Sequence, residues 1–318
     1  MILTIIIVNY RTAGLAIDCL ASLAAERRRL PPTDVVVVDS ASEDGSVSAL
    51  ADAIGQRGWA RWVTLLPLPR NRGFAAGNNA GIGLALARPQ PPDYLMMLNP
   101  DTVVYPGALV RLLDFLHRHP QAGMAGPRVE FADGTVQVSA FRFPSILGEW
   151  EGALRIGLMT RLLSRWRVAP PPAQSDHAAD WLSGCALMIR RQALEELGPL
   201  DERYFMYFEE VDLCLRAARR GWERWYIPGA RIVHHVGQAS GVTDRTRRQP
   251  AYWFASRRHF FIKNHGSVYA TLASVAFVLG FAGWRLRRWM LRIPDGDPPH
   301  MLWDFLRHTF RAPTPAEF

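Results

Sequence analysis

Lysine is almost missing from this chain. Lys263 is the one lysine among 37 basic residues, and arginine supplies the rest. The formal net charge is still +8, a balance that suits phosphate-rich substrates, anionic lipid or nucleic acid. Genome composition also produces such a skew, so charge alone selects none of these. Cysteine is scarce as well: Cys19, Cys185 and Cys214 are far apart and form no CxxC pair. That argues against a disulfide framework and a structural zinc site, and fits a reduced cytosolic chain. Neither a GxxxxGK[ST] phosphate loop nor a GxGxxG fingerprint after the first strand is present, which removes two common nucleotide-binding readings. The opening MILTIIIVNY is apolar but short, without a basic leader or a small-residue cleavage site, and reads as a first strand and not a signal peptide. No internal repeat stands out.

What is present is a chain of 318 residues, 49% apolar and 21% charged, enough for one large domain or a domain with an appendage. Its first hundred residues alternate strand and helix signals. LTIIIVNY, DVVVVDS, WVTLLPL and YLMMLN read as strands. Helical stretches separate them at about 12–25, 46–55 and 74–87. Strands apolar on both faces and joined by helices predict a mostly parallel sheet covered on both sides. Ligands bind such sheets beyond the carboxyl ends of the strands. Asn9, Asp39 and the Asn99-Pro100-Asp101 triplet all fall at those ends. Further on, VEFADGTVQVS predicts a hairpin around Asp133-Gly134, APPPAQ a loop, WLSGCALMIRR a strand, and residues 209–220 a helix ended by Gly221.

Four stretches carry candidate chemistry. Pro100 cannot continue a central strand, so the chain must turn and project Asp101 past the sheet edge. One carboxylate there suffices for a divalent ion whose other ligands come from a diphosphate; a plain turn is the simpler alternative. Glu209 and Glu210 open a helix, where they either cap it or act as a general base. Asp212 and Arg216 are spaced to pair on that helix surface. In YIPGARIVHHVG a strand ends in His234-His235, and only one of the two can face a given site. In PRNRGFAAGNNAGIG, Gly73, Gly77 and Gly81 share a helix face, for close approach of a ligand or for tight packing on the sheet.

Residues 268–284 hold no charge and run into RLRRWMLR. The pattern fits a helix lying on an anionic membrane surface. The alternatives are a helix packed on the domain, one packed on a second copy in a homodimer, or a span, for which it is slightly short.

Together and in this order these stretches resemble the family 2 inverting glycosyltransferases of GT-A fold, most closely their rhamnosyltransferase-like branch. The resemblance covers about residues 2–265. It rests on IIIVNYRT, VVVVDSASEDGS, NRGFAAGNNAGI, MLNPDT, DGTVQ, WLSGCALMIRR, LDERYFMYFEEVDLCLR and PGARIVHH. It implies a GT-A catalytic domain over 1–266, with a nucleotide-sugar-binding part at 1–105 and an acceptor and catalytic part at 106–266. An apolar and basic helical extension over 267–318 would follow. Asp39 matches the carboxylate that contacts the base or ribose, with Asn9 beside it. Asn71, Gly73, Gly77 and Asn78 match the motif next to the nucleotide-sugar, and Asn99 and Asp101 the DxD element. Asp101 would hold Mg²⁺ or Mn²⁺ against the diphosphate, with His234 completing the metal site and His235 as its alternative. Glu210 matches the general base, a position usually held by aspartate, so the role can slip to Glu209.

The implied reaction moves rhamnose from dTDP-rhamnose to a glycan or polyprenyl-linked acceptor in cell-surface polysaccharide synthesis. The enzyme would be cytoplasmic, on the inner face of the membrane. UDP-galactofuranose, UDP-hexose or another deoxysugar is the alternative donor. A non-catalytic nucleotide-sugar-binding module is the alternative class. A nucleic-acid partner, suggested by the +8 charge and RTRRQPAYWFASRRHFF, is not expected.

Overall fold

A computed structural model describes residues 1–235 and 246–310. Arg245, which opens the basic stretch noted above, and the end of the extension at 311–318 lie outside the described residues. In chain order the strands are β1 (Leu3–Asn9), β2 (Thr33–Asp39), β3 (Val63–Pro67), β4 (Tyr94–Leu98), β5 (Thr102–Val104), β6 (Ala122–Glu130), β7 (Val136–Gln137), β8 (Ala140–Phe141), β9 (His177–Ala178), β10 (Trp181–Leu182), β11 (Ala186–Arg190) and β12 (Glu223–His234). The α-helices are α1 (Ala13–Glu26), α2 (Ser46–Gln56), α3 (Phe74–Leu86), α4 (Ala108–Arg118), α5 (Ile146–Leu154), α6 (Gly157–Leu162), α7 (Arg191–Leu197), α8 (Glu209–Arg219), α9 (Ala251–Met290) and α10 (Met301–Phe310).

The main sheet runs β3-β2-β1-β4-β11-β6-β12-β5. β3, β2, β1 and β4 are parallel to one another, as their unbroken apolar runs predict. β11 then enters antiparallel between β4 and β6, and β12 runs parallel to β6. Side chains alternate across β1: Leu3, Ile5 and Ile7 enter a core that includes residues of α1, α2 and α4. Ile6 and Val8 enter the opposite core, with residues of α3, α7 and α8. The expected hairpin is β6–β7, turning through Gly134 at φ +83°. β1 and β2 are in register from Leu3↔Thr33 to Asn9↔Asp39, which brings the polar ends of both strands to one edge.

α9 is broken at Gly266 (φ 86°, ψ 167°) into two arms. The first arm packs Phe260 and Phe261 against Tyr204 and Val211 beside α8. The second arm lies on α5: a Cβ at Gly280 would come within 2.7 Å of the Trp150 carbonyl, and one at Gly283 within 2.9 Å of Leu154. Arg257 is buried between the arms, ion-paired to Glu149 at 2.7 Å and set over the rings of Phe261, Phe277 and Phe305. α9 is long and apolar enough to cross a membrane by length and composition, yet one face of its second arm is already occupied by the protein.

Candidate active site

The carboxyl edge of the parallel strands is built from short polar turns. Asn9 donates from Nδ2 to Asp39 Oδ2 at 2.7 Å, and Asp39 also accepts from the Ser42 amide at 3.0 Å and the Ser42 hydroxyl at 2.7 Å. Thr12 in turn donates to Asn9 Oδ1 at 2.9 Å. Asp39 is fully buried, so the structure places Asn9 and Asp39 behind the cleft wall, where they shape the 40–45 turn. Ser40, Tyr10 and Thr12 reach the cleft in their stead.

α3 begins at Gly73, whose amide donates to Asn71 Oδ1 at 2.9 Å. Gly73 has φ +90°, and a Cβ there would lie 2.1 Å from the Phe205 carbonyl oxygen. No other residue fits that close crossing. Gly77 and Gly81 have a different task. Their missing Cβ atoms make room for Val8 and Ile6 of β1, each of which would sit 2.7 Å away. For these two, the packing alternative is what the structure supports. Asn78 is buried beside them and donates to the Phe74 carbonyl at 2.9 Å.

After β4 the chain turns at Asn99-Pro100-Asp101, as expected of a strand ended by proline. β12 returns alongside β5 with His234 paired to Thr102. His234 Nε2 thereby lies 3.2 Å from Asp101 Oδ1 and 3.3 Å from Asn99 Nδ2. His235 meets Asp101 only through the backbone, its amide donating to the Asp101 carbonyl at 2.9 Å. The strand alternation thus sends His234, and not His235, into the cleft. Burial opposes a charge on His234, but Cys185 and Asp101 beside it prevail and raise its pKa to about 10. Cys185, which spacing never singled out, is a neighbour of this histidine because β11 runs between β4 and β6.

These residues fit a divalent cation. Asn99 Oδ1 is buried without a hydrogen-bond partner, and Asp101 Oδ1 faces the His234 ring at 3.2 Å, which would have to give up its proton before it could ligate a bound metal. Oxygen ligands suit Mg²⁺ and Mn²⁺, and an imidazole nitrogen is compatible with a first-row ion.

Across the cleft, Tyr207 and Phe208 have φ of +68° and +70°. Two successive bulky residues in the left-handed region are rare and strained. The turn they make swings Glu209 and Glu210 to the start of α8. Both glutamates have a buried oxygen with no partner. Burial pushes the Glu210 carboxyl up to about 7, against the pull of backbone amides at the helix start. Burial and the Glu210 charge push Glu209 well above the usual carboxylate range. Further along α8, Asp212 accepts from Arg216 at 3.0 Å, as their spacing predicts, and from Lys263 at 2.8 Å. The single lysine therefore ties α8 to α9.

These elements enclose a cleft of ≈ 540 Å³. It is lined by Asn71, Gly73, Asn99, Asp101, Glu209, Glu210 and His234, seven residues that the motifs had selected. Asn9, Asp39, Gly77 and Asn78 stand behind it. Phe205, Met206, Tyr207 and Tyr252 also line it and were missed; only the positive φ of Tyr207 marks them, and that is not visible in sequence.

Residues 2–260 match the protein family described as "Glycosyltransferase like family 2". The chain belongs to that family. An N-acetylglucosaminyl-diphospho-decaprenol L-rhamnosyltransferase of Mycobacterium tuberculosis is 31% identical over 307 residues, covering 92% of this chain and 89% of the relative. The rhamnosyltransferase WbbL of Escherichia coli is 26% identical over 168 residues, 52% of this chain and 61% of the relative. This glycosyltransferase thus falls in the rhamnosyltransferase-like branch. A mannosyltransferase of Pyrobaculum calidifontis, solved with GDP-Man and Mn²⁺, superposes with a TM-score of 0.57 at 16% identity, over 92% of this chain and 75% of that one. Staphylococcus aureus TarS residues 1–349, solved with UDP-GlcNAc, also gives 0.57, at 13% identity over 97% and 79%. The fold is GT-A.

Proposed function

We propose that this glycosyltransferase moves rhamnose from dTDP-rhamnose to a glycan or polyprenyl-linked acceptor, with inversion at the anomeric carbon, at the cytoplasmic face of the cell membrane. The observation that carries the reading is the placement of Glu210. It lines the same cleft as Asp101 and His234 and also lines a second, larger cavity of ≈ 710 Å³. A carboxyl pushed up to about 7 is suited to accept a proton near neutral pH.

The acceptor hydroxyl gives its proton to Glu210 as its oxygen bonds to the anomeric carbon. The bond from that carbon to the diphosphate breaks, and its electron pair leaves with the diphosphate toward Asp101. Attack opposite the leaving group inverts the anomeric centre. A divalent ion held by Asp101 and His234 would neutralise the diphosphate as a Lewis acid. Asn71 and the Gly73 backbone would border the nucleotide-sugar. The rhamnosyl donor is supported by the named activities of the two relatives. In this reading residues 1–105 bind the donor, 106–266 supply base and acceptor surface, and 267–318 form the extension.

The test is nucleoside diphosphate release from a panel of nucleotide-sugars, with Mn²⁺ or Mg²⁺ and then EDTA. Release from dTDP-rhamnose, lost in EDTA and restored by metal, is the expected result. Asp101→Ala should abolish the metal-dependent part; normal metal-dependent turnover in that variant would overturn the role given to Asp101. Release from a UDP-sugar alone would replace the donor.

A further inference from the structure

The turn that presents Glu209 and Glu210 is strained at Tyr207 and Phe208, and such a turn persists only where its surroundings hold it. The first arm of α9 lies along it. Tyr252, Ser256, His259 and Lys263 follow one another at steps of four, three and four, so they share one face of that arm. The Tyr252 ring centroid is 5.5 Å from that of Phe205 and 6.2 Å from that of Tyr207. The Ser256 hydroxyl donates to the Met206 carbonyl at 3.0 Å. His259 Nε2 lies 3.0 Å from Asp201 Oδ2. Lys263 Nζ lies 2.9 Å from Asp201 Oδ2 and 2.8 Å from Asp212 Oδ2.

These two carboxylates bracket the strained residues. Asp201 precedes them. Asp212 follows them in the first turn of α8, where its amide donates to the Phe208 carbonyl at 2.9 Å. One ammonium from a third element therefore joins both ends of the turn. Each carboxylate also has partners of its own: Asp201 pairs with Arg203 at 2.8 Å, and Asp212 with Arg216 at 3.0 Å. Burial opposes the charge on Asp201, but hydrogen bonds from Arg203, His259 and Lys263 prevail and hold its carboxyl well below the usual range. Arg216 adds a tie from α8 to the Pro199 carbonyl at 2.9 Å, so neither carboxylate would be left uncompensated without Lys263.

We infer that Lys263 is a positioning residue for the transfer reaction: it clamps the strained turn from both ends and so fixes where the Glu210 carboxyl stands in the cleft. The inference rests on the transferase reading above for the role of Glu210. It adds that the base is set from α9, at a residue beyond the family match, which ends at 260.

Lys263→Met keeps most of the side chain and removes its charge. Trypsin cleavage after Arg203, mapped by mass spectrometry on the full chain, reads the turn without turnover, because that bond runs into the fully buried Tyr204. Lys263→Met should be cut there about tenfold faster than the parent. The Arg128–Val129 bond inside β6 should stay intact over the same time. In nucleoside diphosphate release, kcat should fall about 10–100-fold with KM unchanged. Lys263→Arg, which can still bridge two carboxylates, should restore slow cutting and most of kcat. If Lys263→Met fails to fold, Asp201→Asn on the other side of the clamp decides, and should move both readings the same way. Unchanged cutting after Arg203, or unchanged kcat in a variant that is cut faster there, overturns the proposal. Cutting after Arg203 and Arg128 at one rate would show general unfolding and also overturns it. Cutting needs no turnover, so a parent inert toward every nucleotide-sugar would sink the transferase reading while the cut still decides whether Lys263 holds the turn.

Discussion

At the scale of the residue, Glu210 couples chemistry to stability. Its carboxyl is near pKa 4.5 in an ordinary setting and is pushed up to about 7 in the fold. The unfolded chain therefore releases this proton first as pH rises. Between pH 4.5 and 7 the folded state is progressively penalised, and above 7 the penalty is complete. Glu210→Gln should be neutral to stability near pH 4.5 and stabilising at pH 8 by roughly 1–3 kcal/mol. Urea unfolding at the two pH values measures this. The same change should lower kcat by about 10²–10⁴-fold, the usual worth of a general base. In the unaltered enzyme kcat/KM should rise with pH around a midpoint near 7, where Glu210 becomes a base. A profile flat from pH 5.5 to 8.5 would move the base away from both glutamates, because Glu209 is also held well above the usual carboxylate range.

At the scale of the element, the loops after β1, β2 and β4 and the turn before α8 define the cleft. Gly73 is the tightest point, because the α3 amide at Phe74 donates to the Phe205 carbonyl at 2.7 Å across it. Gly73→Ala would force a Cβ to within 2.1 Å of that carbonyl at a φ of +90°. A loss of about 1–3 kcal/mol follows, read as a lower urea midpoint at constant m. Gly83 lies on the same helix with nothing within 4 Å of its absent Cβ. Gly83→Ala should instead stabilise by about 0.5–1 kcal/mol through helix propensity. Both glycines look alike in sequence. What was legible were local signals: apolar runs, proline after β4, the Asp133-Gly134 turn, acidic residues opening α8. What was not legible depends on chain segments far apart. Cys185 reaches His234 only through strand order, Phe205 reaches Gly73 only through the turn before α8, and the second cavity takes its wall from α5, α6, β10, α8 and α9 together. The histidine doublet falls between these cases: alternation said one of the two would face the cleft, and only the register of β12 on β5 says which.

At the scale of the whole molecule, the second arm of α9 has two unlike faces. Ala270, Ala273, Ser274, Gly280 and Phe281 are buried against the body of the protein. Val268, Leu272, Val275, Leu279 and Leu286 are exposed, by 74, 51, 42, 62 and 57%, and steps of four, three, four and seven put them on one stripe. Beyond the stripe come Trp289, Arg287 and Arg292, with Arg285 and Arg288 held by Asp295. Deleting the extension would be a poor test of membrane binding, because it would also remove Phe277 from the second cavity and the neighbours of Arg257. Leu272→Ser with Leu279→Ser alters only the exposed stripe, where the cost to folding is small. Each leucine sunk fully into the headgroup boundary is worth roughly 1.5–3 kcal/mol, so losing both should lower partitioning by more than about a hundredfold. Flotation on phosphatidylglycerol vesicles should show the unaltered chain bound, less so at high salt because the arginines are screened. The double variant should remain with the soluble fraction while still binding nucleotide-sugar. If it floats as well as the parent, the stripe does not meet lipid. A concentration-dependent dimer that the same two changes dissolve would then identify the covering surface as a second copy of the chain.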